Sequence, residues 1–236
     1  MSLDSELKTR VSEIITETWD IKSANVVPVT EGVLLAGGGR TMNVTMLYAD
    51  LANSTELALY NRQVAAKICK AFLACASKII RFRGGKIRSF DGDRVMGVFS
   101  GGFKNTSAVK AALNINFAFD QIIVPKFQAR YPSLFSKMGL AHGVGVDTSD
   151  VLVVRGGMRA NNDLLWIGRA PNIAAKLSSL RMVGYSSYIT KDVFDVINNE
   201  AKFSPTDGSL MWESRTWSRL PSNHQSIYMS KWWIRP

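Results

Sequence analysis

Three aspartates are the residues best able to do chemistry in this 236-residue sequence. Asp91 and Asp93 lie one glycine apart in SFDGDRVMGVF (89–99), and Asp50 closes MNVTMLYADL (42–51). Asp-Gly is a common hairpin connector, because glycine tolerates positive φ and aspartate hydrogen-bonds its own backbone. A turn alone therefore accounts for two of these residues. Asp50 is harder to dismiss, since a carboxylate ending an apolar strand is costly unless it is solvated, paired or bound to a cation. If folding brings Asp50 to the 91–93 tip, the carboxylates repel, and a divalent cation resolves the conflict. Oxygen donors without nearby His or Cys favour Mg2+ or Mn2+. Two such ions bridged by carboxylates could activate a hydroxyl and steady a leaving phosphate. On these residues alone a helix-cap acid plus a turn acid stays open as the alternative. The run DLANST adds a strand turning into a helix N-terminus, whose free N–H groups are predicted to receive phosphate oxygens over residues 51–55: Leu51, Asn53, Ser54 and Thr55.

The elements that must position these groups follow from hydrophobic spacing. Residues 5–19 are predicted as a short amphipathic helix, with Leu7, Val11, Ile14 and Ile15 at helical intervals. A loop with Pro28 and AGGGR (36–40) then divides an N-terminal extension, 1–40, from a main body, 41–236. The body opens with a buried strand over 42–51. A long helix follows, with Ser54 as N-cap, Val64, Ile68, Phe72, Ala76 and Ile79 on its inner face, and Gly84-Gly85 beyond its end. Strands 86–91 and 94–99 form a hairpin, and a second long helix spans 106–127. Strands are expected at 138–147 and 150–155, then a helix from Ala170 to Met182, a short strand, a helix near 191–199 and two closing strands. Strand-helix-strand-strand-helix-strand is the ferredoxin-like α+β arrangement, a mainly antiparallel sheet with helices covering one face. It sets the first strand beside the second hairpin strand and so brings Asp50 to the acidic tip.

Composition narrows the partners. Hydrophobic residues make up 46% and charged residues 20%, as in ordinary globular proteins. No apolar run approaches the roughly 20 residues needed to cross a bilayer. The charged N-terminus lacks a signal-peptide core, so a cytoplasmic location is expected and a membrane partner is not. Cys69 and Cys75 read as small buried hydrophobes. A net charge of +10 suits a polyanionic partner. The basic residues are scattered and no nucleic-acid-binding motif is present, which favours an anion groove over nucleic acid. His142 and His224 stand in no nucleophile–base pattern.

The segments LYADLANSTEL, FDGDRVMGVF, GVGVDTSDVLV and WIGRAPNIAAKLSSL resemble, in order, those of class III nucleotidyl cyclase catalytic domains. The likeness covers roughly 42–200. It implies that Asp50 and Asp93 are the two metal-binding aspartates, with the Leu51 carbonyl a further ligand and two Mn2+ or Mg2+ ions per site. It also implies that Asn172 orients the ribose, and that Lys176 stands where the family has an arginine stabilising the transition state. Members of the family work as head-to-tail homodimers with sites at the interface. The implied reaction is attack of the ribose 3′-hydroxyl on the α-phosphate, releasing pyrophosphate.

The base-selecting positions depart from the family pattern. Ser89 replaces a lysine or glutamate four residues before Asp93, and Leu165 replaces the partner selector before WIGR. A short hydroxyl and an aliphatic chain cannot supply the usual purine hydrogen bonds, and unmatched polar edges are expensive. The whole layout is similar to the pyrimidine cyclases of Pycsar anti-phage systems. That resemblance implies cyclic UMP or cyclic CMP made from UTP or CTP, and read by a separate effector with a cyclic-nucleotide-binding domain. Tyr48, on the same strand face as Asp50, and Arg94 are the expected base-reading residues. Arg94, a pure donor, favours uracil through its O4. A degenerate cyclase-like interaction module is the alternative reading. Arg219 is a looser candidate for the triphosphate, and Trp232 and Trp233 are expected to pack.

Overall fold

The computed structural model describes residues 2–218 and 226–236, so Arg219 and His224 lie outside the described residues. In chain order the elements are α1 (Leu3–Thr16), β1 (Asp20–Ser23), β2 (Gly38–Leu51), α2 (Ser54–Tyr60), α3 (Arg62–Phe82), β3 (Lys86–Asp91), β4 (Arg94–Phe99) and α4 (Lys104–Ala118). A π-helical turn, Phe119–Ile123, leads into α5 (Val124–Arg130) and α6 (Pro132–Phe135). Then follow β5 (His142–Met158), β6 (Asn161–Gly168), α7 (Arg169–Ser178), β7 (Ser187–Thr190), α8 (Lys191–Val196), α9 (Asn199–Lys202), β8 (Glu213–Thr216) and β9 (Ser226–Ser230).

The sheet runs β3-β4-β2-β5-β7-β9-β8, with β1 added to β2 and β6 to β5. Its first four strands carry the ferredoxin-like order, all antiparallel to their neighbours. β7 pairs parallel with β5, so the intervening α7 acts as a crossover helix.

Strand alternation divides the core in two. Leu47, Ala49 and Leu51 face α3 and α4, whose Ile68, Phe72, Ala112 and Ile115 join the same cluster. Met42, Val44 and Met46 face the other way and pack with Ala170 and Ala174 of α7, with Tyr48 beside them. Helices therefore cover both faces, whereas the sequence predicted one. Glycines make the second face possible. A Cβ on Gly145 would come within 2.2 Å of the Ala174 carbonyl oxygen, and one on Gly143 within 2.3 Å of that of Ser178. α7 thus lies against bare β5 backbone.

Other boundaries differ for local reasons. The helix expected from Ser54 breaks at Asn61, whose side chain accepts from the N–H groups of Gln63 and Val64 and caps α3. Ser54 is not the cap of α2. Asn53 holds that place in the left-handed region, at φ 60°, with no side-chain cap bond. The helix over 106–127 is interrupted by the π turn just before Pro125, which has no N–H to donate. The strands expected at 138–147 and 150–155 are one strand, β5, and β6 was missed. So was β1, which gives the N-terminal segment a parallel pairing with β2, Asp20 opposite Gly38.

Candidate active site

β2 and the β3–β4 hairpin bring the acidic residues together. Asp50 lies opposite Arg94 across β4 and opposite Gly143 across β5. Gly92 turns the hairpin at φ 61°, a conformation that favours glycine. Asp91 points to solvent and pairs with Arg94 at 2.6 Å. Asp93 is different: its Oδ2 is buried with no hydrogen-bond partner. Its charge reaches Asp50, whose carboxyl is held above the ordinary aspartate value chiefly by burial. The Arg181 hydrogen bond and charge oppose this, Asp93 adds to it, and Arg94 opposes it in turn. Among the described residues no group of three or more His, Cys, Asp or Glu side chains gathers anywhere. The donor set is thus two carboxylates close enough for one charge to act on the other, one with an orphaned buried oxygen, next to Leu51 at the end of β2. That set fits a hard divalent cation.

Arg181, in the loop after α7, is a residue that sequence reasoning missed. Its Nη2 donates to Asp50 Oδ2 at 2.8 Å, while Nη1 donates to the carbonyls of Ser178 at 2.6 Å and Leu180 at 2.8 Å. The guanidinium fits because position 143 has no side chain; a Cβ there would stand 2.6 Å from Nη1. It also faces His142, which burial and this charge hold down at about 3, so the imidazole is neutral. The GVG run in HGVGVD was the one signal for such close approach.

A second feature adjoins the acidic end on the same sheet face. Tyr48, Ser89, Leu165 and Asn172 line one cavity of about 320 Å³, together with Arg88, Asp163 and Trp166. The two selector positions and the ribose position thus converge. Tyr48 lies two residues before Asp50, on the same face of β2. Its hydroxyl contacts Met96 Sδ at 2.8 Å, and burial raises its pKa. Arg94 is not part of this lining; its guanidinium lies 5.7 Å over the Tyr48 ring while it holds Asp91. Asn172 and Lys176, one turn apart on α7, are exposed, and Asn172 donates to the Gly168 carbonyl at 3.2 Å. Asn53 and Thr55 are exposed and Ser54 half-buried at the start of α2. Neither Asp50 nor Asp93 lines the cavity.

α7 is itself pinned by an ion pair that sequence reasoning also missed. Arg169 donates to Asp147 Oδ1 at 3.0 Å and to the Thr148 carbonyl at 2.7 Å, and it pairs with Asp192. Asp147 is fully buried and also accepts from Thr190 Oγ1 at 2.6 Å.

The fold is that of a class III nucleotidyl cyclase domain. Among solved structures it is similar to the adenylyl cyclase CyaB from P. aeruginosa, with a TM-score of 0.60 and 20% identity, covering 81% of this chain and 95% of that one. No protein-family model matches. Curated relatives carry the identification further. A uridylate cyclase of Rhodovulum sp. (strain MB263) is 42% identical over 238 residues, covering 100% of this chain and 99% of that protein. One of Xanthomonas perforans is 42% identical over 234 residues, covering 98% of each. The chain belongs to the uridylate cyclase family.

Proposed function

We propose that the chain converts UTP into 3′,5′-cyclic UMP and pyrophosphate, as a head-to-tail homodimer with two Mn2+ or Mg2+ ions per site. The observation that carries this reading is the cavity in which Ser89 and Leu165 stand where purine selectors would, in a chain 42% identical to uridylate cyclases along its length. Asp50 and Asp93 are the residues to hold the ions, with the Leu51 carbonyl. When bound, such ions lower the pKa of a hydroxyl and neutralise charge on a phosphate chain. The protein's own residues do the rest. Asn172 orients the ribose so that the 3′-hydroxyl meets the α-phosphate in line. Lys176 sets a positive charge against the developing oxyanion, without the planar fork of an arginine. Backbone and hydroxyl groups of Asn53, Ser54 and Thr55 receive phosphate oxygens. Tyr48 stacks on the base at the cavity rim, and Arg94 fixes the Tyr48 ring from its outer side.

Asn172 and Lys176 are exposed while the aspartates lie outside the cavity, which supports sites completed by a second copy. In this reading the product is a second messenger for anti-phage defence, made in the cytoplasm and read by a separate cyclic-nucleotide-binding effector. The test is incubation with each nucleoside triphosphate and Mn2+, with products identified by mass spectrometry. Cyclic UMP is expected as the main product, and Asp50→Asn or Asp93→Asn lowers its rate by roughly a hundredfold or more. No turnover of any triphosphate by a folded dimer would overturn the reading.

A further inference from the structure

Arg88 enters the cavity because β3 is irregular. Lys86 pairs with Val98 and Ile87 with Gly97, but the next pair is Ser89 with Met96, so Arg88 is an extra residue. In a regular strand Arg88 and Ser89 would face opposite sides; a bulge re-aims the extra side chain. Both now line the same cavity. The tip of the guanidinium is held from outside, with Nη1 donating to the Ile87 carbonyl at 2.9 Å and Nη2 to the Val27 carbonyl at 3.3 Å. Its Nε–H is buried with no partner, and the same holds for the Trp166 Nε1–H on the facing strand β6. An unmade buried donor costs about 1–3 kcal/mol; both side chains line the cavity, so a small reorientation of either lets a ligand bearing acceptors make the bond the free protein lacks.

The remaining lining sharpens the chemistry. Leu165 offers no polar atom, and the Tyr48 hydroxyl is engaged with Met96. Asp163 is the nearby acid, and its Oδ1 already accepts from the Leu164 N–H at 2.7 Å and the Thr30 hydroxyl at 3.4 Å. Uracil presents two carbonyl oxygens. Cytosine presents one carbonyl, the N3 acceptor and, where uracil has its second carbonyl, an amino donor that would meet a second donor head-on.

We propose that Arg88 is a specificity-determining residue that, with Trp166, reads the two carbonyls of a uracil base. The bulge aims it, and the Val27 carbonyl of the N-terminal segment holds it. The inference rests on the UTP reading above and names the groups that distinguish uracil from cytosine within it.

The experiment uses the full-length protein with 3′-deoxy-UTP and 3′-deoxy-CTP, which cannot cyclise, and inorganic triphosphate as a base-free control. Binding is measured by calorimetry with Mn2+, and UTP and CTP turnover is followed in parallel. Arg88→Met keeps the stem and removes the donors. It is expected to weaken 3′-deoxy-UTP at least tenfold, leave inorganic triphosphate unchanged, and lower the UTP-to-CTP ratio of kcat/KM. Trp166→Phe shifts the same ratio in the same direction. Arg88→Lys tests the same point should the Met variant fold poorly, because a lysine keeps the charge but has no Nε–H at that place. Unchanged 3′-deoxy-UTP binding, or equal losses for all three ligands, would overturn the proposal. Absence of cyclic product from the wild-type protein would instead sink the cyclase reading, and the 3′-deoxy ligands would still decide the role of Arg88.

Discussion

Asp50 has two claims on its charge. The Arg181 guanidinium sits 2.8 Å from one oxygen, and the charge of Asp93, which has an unpartnered oxygen of its own, acts on it. A cation arriving at the carboxylates must therefore share Asp50 with a fixed positive charge, in a setting where burial strengthens both attraction and repulsion. Arg181→Gln keeps a donor for the Ser178 carbonyl and removes the charge. We expect the nucleotide-free protein to bind Mn2+ about five- to tenfold more tightly after this change, measured by calorimetry or by the free Mn2+ signal in electron paramagnetic resonance. Weaker binding would mean that Arg181 aims Asp50 rather than competing for it. The two carboxylates were legible in the sequence because they end a strand and a hairpin that local patterning defines. Arg181 was not, since 131 residues separate it from Asp50 and only the folded loop joins them. Arg88 was hidden for another reason: strict alternation faces it away from Ser89, and the bulge reverses that.

At the scale of elements, the sequence displayed α3, the β3–β4 hairpin and the ferredoxin-like order, whose signals are hydrophobic period and turn chemistry. It did not display the second helical face. α7 packs on that face through Ala170, Ala174 and the bare backbone of Gly143 and Gly145, and small residues leave little hydrophobic signature. The register of α7 matters because it presents Asn172 and Lys176. Its first residue, Arg169, ties it to Asp147, whose side chain is fully buried and whose pKa burial raises. Thr190, Arg169 and the Thr148 N–H oppose that rise. Removing the arginine strands a buried carboxylate. Arg169→Ala should cost about 3 kcal/mol, or roughly 6–12 °C in Tm, read by thermal unfolding at pH 7. Lowering the pH toward the raised Asp147 pKa should narrow the gap between variant and wild type, because the stranded group then becomes neutral. A Tm within a degree of wild type would mean that α7 is held by packing alone.

The whole molecule separates the two halves of its chemistry. The cavity proposed for the base is lined by β2, β3, β4, β6 and α7, the carboxylates proposed to hold metal lie outside it, and Asn172 and Lys176 are exposed. Because Asn172 and Lys176 point to solvent, a two-fold partner can set its outward α7 against the other copy's carboxylates. Apolar residues are also left uncovered on the single chain: Leu165 and Ile167 on β6 are 51% and 54% exposed, and Met158 at the β5–β6 turn is 67% exposed. Only the family resemblance pointed to this division, because a second copy leaves no period or spacing of its own. Mixing two inactive variants tests it. Asp50→Asn keeps α7 intact, and Asn172→Ala keeps the carboxylates intact. If the subunits exchange freely, half of the dimers are mixed, and each mixed dimer has one site with every group present. Activity should then return to about a quarter of the wild-type rate in an equimolar mixture, from near zero in either variant alone. The measurement is cyclic nucleotide formation after co-refolding or co-expression, with subunit mixing verified by mass spectrometry of the intact dimers. Mixed dimers that stay inactive would place all the catalytic groups of a site in one chain.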